Sequence, residues 1–154
     1  MPTNIRKIQA KDLEGIKEIL DSSELFPSEY LDEMIADYLN NSESQEIWFA
    51  QFEADNPVGF GFCAPEKMTE GTFNLIAIAV RKELQGKGIG SALMQYLENL
   101  LQNEKQRILI VDTSSGENFA QTRQFYLKLG YTKAAVIPEF WAAGDDKVVF
   151  WKKL

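Results

Sequence analysis

The spacing of apolar positions changes period along this chain, and each change marks a structural element. Residues 5–9 read as a short strand. Over 10–22, Leu13, Ile16, Ile19 and Leu20 recur at helical spacing, giving a helix with one apolar face. Pro27 breaks that pattern, and Ser28 is placed to cap a second helix carrying Leu31, Met34, Ile35, Tyr38 and Leu39. Ile47, Trp48, Phe49 and Phe52 mark a strand over 46–53, and Asp55-Asn56-Pro57 turns it into another over 58–64. A third strand, 72–80, runs into a glycine-rich loop. Beyond it, Ile89, Leu93, Leu97, Leu100 and Leu101 define a long helix over 89–104. Strand 107–112 follows, then a helix over 118–129 stopped by Gly130, a plausible C′ glycine. Strands 131–137 and 147–151 close the chain, joined by a loop that contains Trp141 and Gly144. The predicted order is β-α-α-β-β-β-α-β-α-β-β, an α/β (α+β) chain.

Composition narrows the chemistry more than the fold. At 154 residues the chain reads as one domain, 1–154, able to bury a core without disulfides or metals. Acidic residues outnumber basic ones, 23 to 16, for a net charge of −7. That balance argues against nucleic acid or an anionic membrane as partner and tilts mildly toward a cationic one. The absence of histidine excludes Ser-His and Cys-His catalysis and His-ligated metals. The single Cys63 excludes an internal disulfide and reads as a small buried filler. Met1-Pro2-Thr3-Asn4-Ile5-Arg6 has no signal-peptide apolar core, and no apolar run approaches the roughly 20 residues of a membrane span. The expected address is cytoplasmic.

The most informative passage lies between strand 72–80 and the long helix. Gly86, Gly88 and Gly90 fall within five residues, at the N-terminus of a helix. Such a turn aims several backbone N–H groups and the positive end of a helix dipole at one spot, suited to a phosphate or pyrophosphate. The alternative is a turn that merely starts the helix. Spacing separates the known phosphate patterns. A P-loop would need glycine at 81 and a hydroxyl residue at 88, where the chain has Arg81 and Gly88. A dinucleotide fingerprint read from Gly86 would need glycine or alanine at 91, where Ser91 stands. What fits is Gln-x-x-Gly-x-Gly, from Gln85 to Gly90.

That motif resembles the acetyl-coenzyme A loop of the GNAT-type N-acetyltransferases. Two further segments carry the resemblance. Phe125-Tyr126-Leu127-Lys128-Leu129-Gly130-Tyr131 is similar to the family's Phe-Tyr-x-x-x-Gly-Phe/Tyr helix end. Ile137-Pro138-Glu139-Phe140-Trp141 with Gly144-Asp145-Asp146-Lys147 is similar to the tail of small family members. The element order agrees over essentially the whole chain. The resemblance implies a mixed, mostly antiparallel sheet of about seven strands flanked by about four helices, with a splayed strand pair that binds acyl-CoA. It implies direct transfer of acetyl from acetyl-CoA to an amine of a small molecule or protein. An acyl-CoA-binding sensor or interaction module on the same fold is the alternative.

The same resemblance assigns roles. Ile78, Ala79 and Val80 would pair with the pantetheine arm, and Ile78 or Val80 N–H would face the thioester oxygen. The N–H groups of Gln85, Gly86, Lys87, Gly88, Ile89, Gly90 and Ser91 would hold the pyrophosphate, with charge added by Lys87 if it is not simply solvated. Tyr126 would protonate the leaving thiolate; the alternative is a ring packed on the sheet. Asn118 is a candidate coenzyme A contact or a helix N-cap. The base is open. Asn74 occupies a position where relatives often carry an acid, and an amide orients an acceptor without deprotonating it. Asp112 is the best-placed carboxylate, ahead of Glu24, Glu70 and Glu139, unless it caps the turn with Thr113 and Ser114. Phe26, Phe60, Phe62, Phe140 and Trp141 are candidates to line an acceptor pocket, although Phe60 and Phe62 share a strand face that suits the core. The terminal hairpin leaves an edge that a homodimer would cover.

Overall fold

A computed structural model describes residues 4–154. Met1, Pro2 and Thr3, which open the span read as one domain, lie outside the described residues. The strands are β1 (Ile5–Lys7), β2 (Ile47–Glu53), β3 (Asn56–Pro65), β4 (Thr72–Val80), β5 (Ile108–Ser114), β6 (Thr132–Ala142) and β7 (Asp145–Lys153). The helices are α1 (Leu13–Ser23), α2 (Leu31–Asn40), α3 (Ile89–Asn103) and α4 (Ala120–Lys128). The seven strands form one sheet in the order β1-β2-β3-β4-β5-β7-β6. Every pairing is antiparallel except β4 with β5. Fold class and element order agree with the sequence reading.

Two apolar layers hold this sheet. On one face, Ile16, Ile19 and Leu20 of α1 and Leu31 and Ile35 of α2 cover Trp48, Phe60, Phe62, Ala77 and Ala79. Phe60 and Phe62 are therefore core, both stacked on Trp48 with centroids 6.3 and 3.9 Å away, and are unavailable to a ligand. On the other face, Ile89, Leu93, Met94, Leu97 and Leu101 of α3 pack with Tyr126 of α4 on Phe73, Leu75, Leu109, Val111 and Phe150. Each fully buried aliphatic side chain contributes about 1.5–3 kcal/mol, so α3 is fixed firmly. Gly59 lets it sit close: a Cβ there would lie 2.9 Å from Ile89 Cγ2. Cys63 belongs to the α3 layer, opposite Phe62 as the alternation requires, and burial pushes its thiol up, away from reactivity.

β4 changes face midway. Phe62 pairs with Ala77, but Cys63 pairs with Leu75, so Ile76 is an extra residue opposite no partner. Strict alternation would put Phe73, Leu75, Ala77 and Ala79 on one face. The bulge sends the first two to the α3 layer and the last two to the α1–α2 layer.

Four local readings differ from the structure. β1 stops at Lys7, and residues 10–12 form a 3₁₀ turn, because the buried Asp12 carboxylate accepts the Gln9 N–H at 2.8 Å and both terminal nitrogens of Arg6. Ser28 begins a 3₁₀ turn and makes no side-chain cap. Asn118 lies in the turn Glu117–Phe119 and caps nothing either; there Arg123 donates to the Ser114 and Gly116 carbonyls. The terminal hairpin is longer than predicted, leaving Ala143 and Gly144, with φ at +77°, as its turn. Trp141 consequently sits on β6, where its indole N–H donates to the Thr113 carbonyl at 3.1 Å.

Candidate active site

The parallel ladder between β4 and β5 is short. It joins Thr72 to Ile108 and ends with Leu75 opposite Val111. β4 continues against β3 to Val80, while β5 continues against β7 to Ser114. Residues 77–80 therefore pair on one side only, and a wedge opens between two strands that were neighbours. The bulge at Ile76 falls where the strands part. Ile78, Ala79 and Val80 all lie on the unpaired stretch, with backbone groups left for an added extended segment.

The glycine loop stands at the end of that stretch. Gly86 and Gly88 have φ of +80° and +88°, a region L-residues rarely adopt, and a Cβ at either would meet nothing within 4 Å. The glycines are thus required by backbone conformation, and the space above them is open. Amides of Gly86, Lys87, Gly88, Ile89, Gly90 and Ser91 have no main-chain partner among the described residues; the first helical bond runs from Ala92 N to Gly88 O. No side chain caps α3 either. A concave set of unpaired N–H groups at a helix N-terminus is an anion cradle. Gln85 differs from the expectation. Its N–H donates to the Lys82 carbonyl, and its side chain donates to the Val80 carbonyl at 3.2 Å, so it braces the loop. Arg81 is likewise structural, bound to the Pro57 carbonyl and to Glu18. Lys87 and Asn118 are exposed.

Tyr126 is 2% exposed, its ring packed by Phe125, Tyr131 and Phe150 at centroid distances of 5.2, 5.7 and 5.6 Å. Burial pushes the phenol above its ordinary range, with no hydrogen bond offsetting it, so it is a neutral O–H donor at any physiological pH. Behind it, Tyr131 donates to Glu98 at 2.7 Å, and Lys152 bridges Glu98 and the Leu129 carbonyl. These bonds fix the end of α4 against α3.

Asp112 follows Val111, the last β5 residue paired with β4, so it stands at the point of separation. Its Oδ2 accepts from Asn74 Nδ2 at 3.3 Å and lies 3.2 Å from Lys147 Nζ. Asn74 gives its other amide bond to Glu66 at 2.8 Å, while its own Oδ1 is buried with no partner among the described residues. Lys147 Nζ also lies 4.3 Å from the centre of the Phe140 ring, which stacks edge-on against Trp141. The structure so brings Asp112 and Asn74 together, and adds Glu66 and Lys147, which the sequence reading did not select. It leaves Glu70 at the β3–β4 turn, where its carbonyl accepts from Arg107. Glu24 closes the end of α1, and Glu139 accepts the Gly144 N–H within the terminal hairpin. Among the described residues, no group of three or more metal-ligating side chains gathers, and no helix is long and apolar enough to cross a membrane.

Residues 43–133 match the family described as "Acetyltransferase (GNAT) domain", a match spanning the wedge, the glycine loop and Tyr126. The chain belongs to the GNAT acetyltransferase family. An uncharacterized N-acetyltransferase of Methanocaldococcus jannaschii is 32% identical over 149 residues, 97% of this chain and 90% of that protein. A GNAT-family crystal structure from Desulfovibrio desulfuricans superposes with a TM-score of 0.91 at 25% identity, covering 99% of both chains. An aminoglycoside 6′-N-acetyltransferase crystallised with coenzyme A shares the fold at a TM-score of 0.72 and 16% identity, over 97% of this chain and 96% of its own. The GNAT assignment thus rests on sequence and fold together.

Proposed function

We propose that this GNAT protein is an acetyl-CoA-dependent N-acetyltransferase, carrying acetyl directly from the thioester to a primary amine. The observation that carries the reading is the wedge: β4 leaves β5 after Leu75, and six unpartnered loop amides stand at the end of its free edge. The pantetheine arm pairs with residues 76–80 as an added strand, and the diphosphate sits over the amides of residues 86–91. Main-chain N–H groups near the bulge face the thioester oxygen and stabilise the tetrahedral oxyanion. Tyr126 donates its proton to the departing thiolate, which shares the same dry surroundings. Asp112 takes a proton from the incoming ammonium, and Asn74 Oδ1 is the acceptor that orients it.

The acceptor is a small cationic amine or a protein amino group, in keeping with the net charge of −7, which also disfavours nucleic acid and anionic membranes. A cytoplasmic, single-domain enzyme fits this reading, and the exposed edge of β6 is where a second copy would pair. The test is calorimetric titration with acetyl-CoA, followed by coenzyme A release against a broad panel of amines. Binding with turnover of at least one amine is expected; no affinity for acetyl-CoA would overturn the reading. One observation favours the binding-module alternative: the Asp112 carboxylate is already held by Lys147. Tight acetyl-CoA binding with no release from any amine would select that alternative.

A further inference from the structure

Lys147 is a primary alkylamine that the chain itself delivers to the proposed reaction centre. Its backbone is fixed on both sides, opposite Ser114 of β5 and Ile137 of β6. The hairpin that carries it is tied to β5 by further bonds. Ser114 Oγ and Asp145 Oδ1 are 2.5 Å apart, Asp146 N donates to Ser115 Oγ, and Ser115 N donates to the Asp146 carbonyl. The Lys147 side chain is 19% exposed, and the ring of Phe140 flanks its ammonium. That ammonium touches the carboxylate that stands where β4 and β5 separate.

The other lysines with carboxylate partners are elsewhere. Lys17 pairs with Glu14 and Asp32 on the α1–α2 side, and Lys152 pairs with Glu98 behind Tyr126. Only at Lys147 do an amine, its candidate base and the edge of the donor wedge coincide among the described residues. Holding reactants in such an arrangement replaces a bimolecular encounter by an effectively unimolecular one.

We infer that Lys147 is an autoacetylation site: with acetyl-CoA in the wedge, the enzyme transfers acetyl to its own Lys147 Nζ. The inference rests on the acetyl-transfer reading and goes beyond it by naming an acceptor on this chain. Asp112 takes one proton from the Lys147 ammonium, and the freed electron pair attacks the thioester carbonyl carbon. The N–C bond forms and the C–S bond breaks. The thiolate takes its proton from Tyr126, which recovers one from the second N–H proton released at the new amide nitrogen. The products are Nε-acetyl-Lys147 and coenzyme A, and the proton on Asp112 leaves to solvent. Acetylation also removes the cation from Asp112, leaving that carboxylate open to an external ammonium.

The test is peptide mass mapping of the full-length protein after incubation with acetyl-CoA, with no amine added. Lys147 should acquire one acetyl group, at a rate per molecule independent of protein concentration. The Tyr126→Phe variant should lose roughly 10²–10⁴-fold in that rate, while slow chemical acetylation of exposed lysines such as Lys87 and Lys133 stays unchanged. Desulfo-coenzyme A supplies a readout without catalysis: it should shield Lys147, and not Lys133, from an amine-reactive reagent. Acetyl-CoA binding and turnover of external amines with Lys147 left unmodified would overturn the inference and leave the enzyme reading intact. Label spread over exposed lysines, or equal in Tyr126→Phe, would overturn it as adventitious chemistry. No affinity for acetyl-CoA would remove both readings.

Discussion

β4 behaves as two strands joined at Ile76. Residues 73–75 pair with β3 on one side and with β5 on the other; beyond the bulge, residues 77–80 pair with β3 alone. The first half carries Phe73 and Leu75, 6% and 1% exposed, into the α3 layer. The second half presents alanines to the α1–α2 layer and an unpaired backbone edge to the wedge. One strand thus serves stability at one end and offers the proposed recognition edge at the other. Parallel pairing makes this possible: β5 enters beside β4 after a helical crossover, so nothing forces the two to stay together past the bulge.

The largest expected effect falls on the proposed chemistry and leaves stability nearly untouched. Tyr126→Phe keeps the packed ring and removes the proposed proton donor. The rate of acetyl transfer should fall roughly 10²–10⁴-fold, with acetyl-CoA affinity and the thermal midpoint close to wild type. Because burial raises the Tyr126 phenol, its acid form persists through alkaline pH. The wild-type rate should therefore show no loss from this group near pH 9, where an exposed tyrosine would begin to ionise. A Tyr126→Phe enzyme with wild-type kcat would assign that residue to packing alone.

At the paired half of β4 the effects should invert. Leu75→Ala empties a fully enclosed site and should cost about 2–5 kcal/mol of stability by denaturant unfolding. Acetyl-CoA should bind the folded fraction as tightly as it binds the wild type. A large loss of intrinsic affinity with little loss of stability would show that the two halves are mechanically one.

How much of this division was legible in the sequence depends on the physics behind each part. The elements were readable because Leu13, Ile16, Ile19 and Leu20, or Leu93, Leu97 and Leu101, keep the helical period over several turns. The glycine loop was readable because positive φ leaves a residue-type signature. The bulge was not. Phe73 to Val80 is apolar at nearly every position, so both faces look alike and a one-residue slip leaves no mark. The Asp112–Lys147 contact joins residues 35 apart in sequence across a sheet register, and no local pattern carries that information. Gln85 shows the converse failure: it lies within the motif, yet the structure spends its amide on the Val80 carbonyl.

A smaller effect is expected at the loop, where conformation can be separated from contact. Gly88→Ala adds a methyl group that meets nothing within 4 Å, so its whole penalty is the φ of +88°. An L-residue held in that region costs about 1–2 kcal/mol. If the loop relaxes to relieve the strain, the N–H groups lose their common focus, and the acetyl-CoA Kd should rise roughly tenfold. If it does not relax, the penalty should appear as lost stability instead. Calorimetric titration and thermal unfolding of the same variant distinguish the two, and an unchanged value in both would show that the loop needs no left-handed residue.

The smallest effect separates charge from backbone within the same loop. Lys87 is exposed, takes part in no ion pair among the described residues, and extends from a segment whose neighbouring amides have no main-chain partner there. Lys87→Ala should weaken acetyl-CoA about two- to fivefold at low ionic strength, the scale of an exposed charge interaction. Because mobile ions screen such a charge, the difference should shrink toward zero at molar salt. The contribution of the amides should survive, since in the proposed complex they would bond to the diphosphate at contact distance, oriented by the surrounding chain. A deficit that persisted undiminished at high salt would mean that Lys87 forms a direct, sheltered bond to the ligand, and that the anion grip is shared between side chain and backbone.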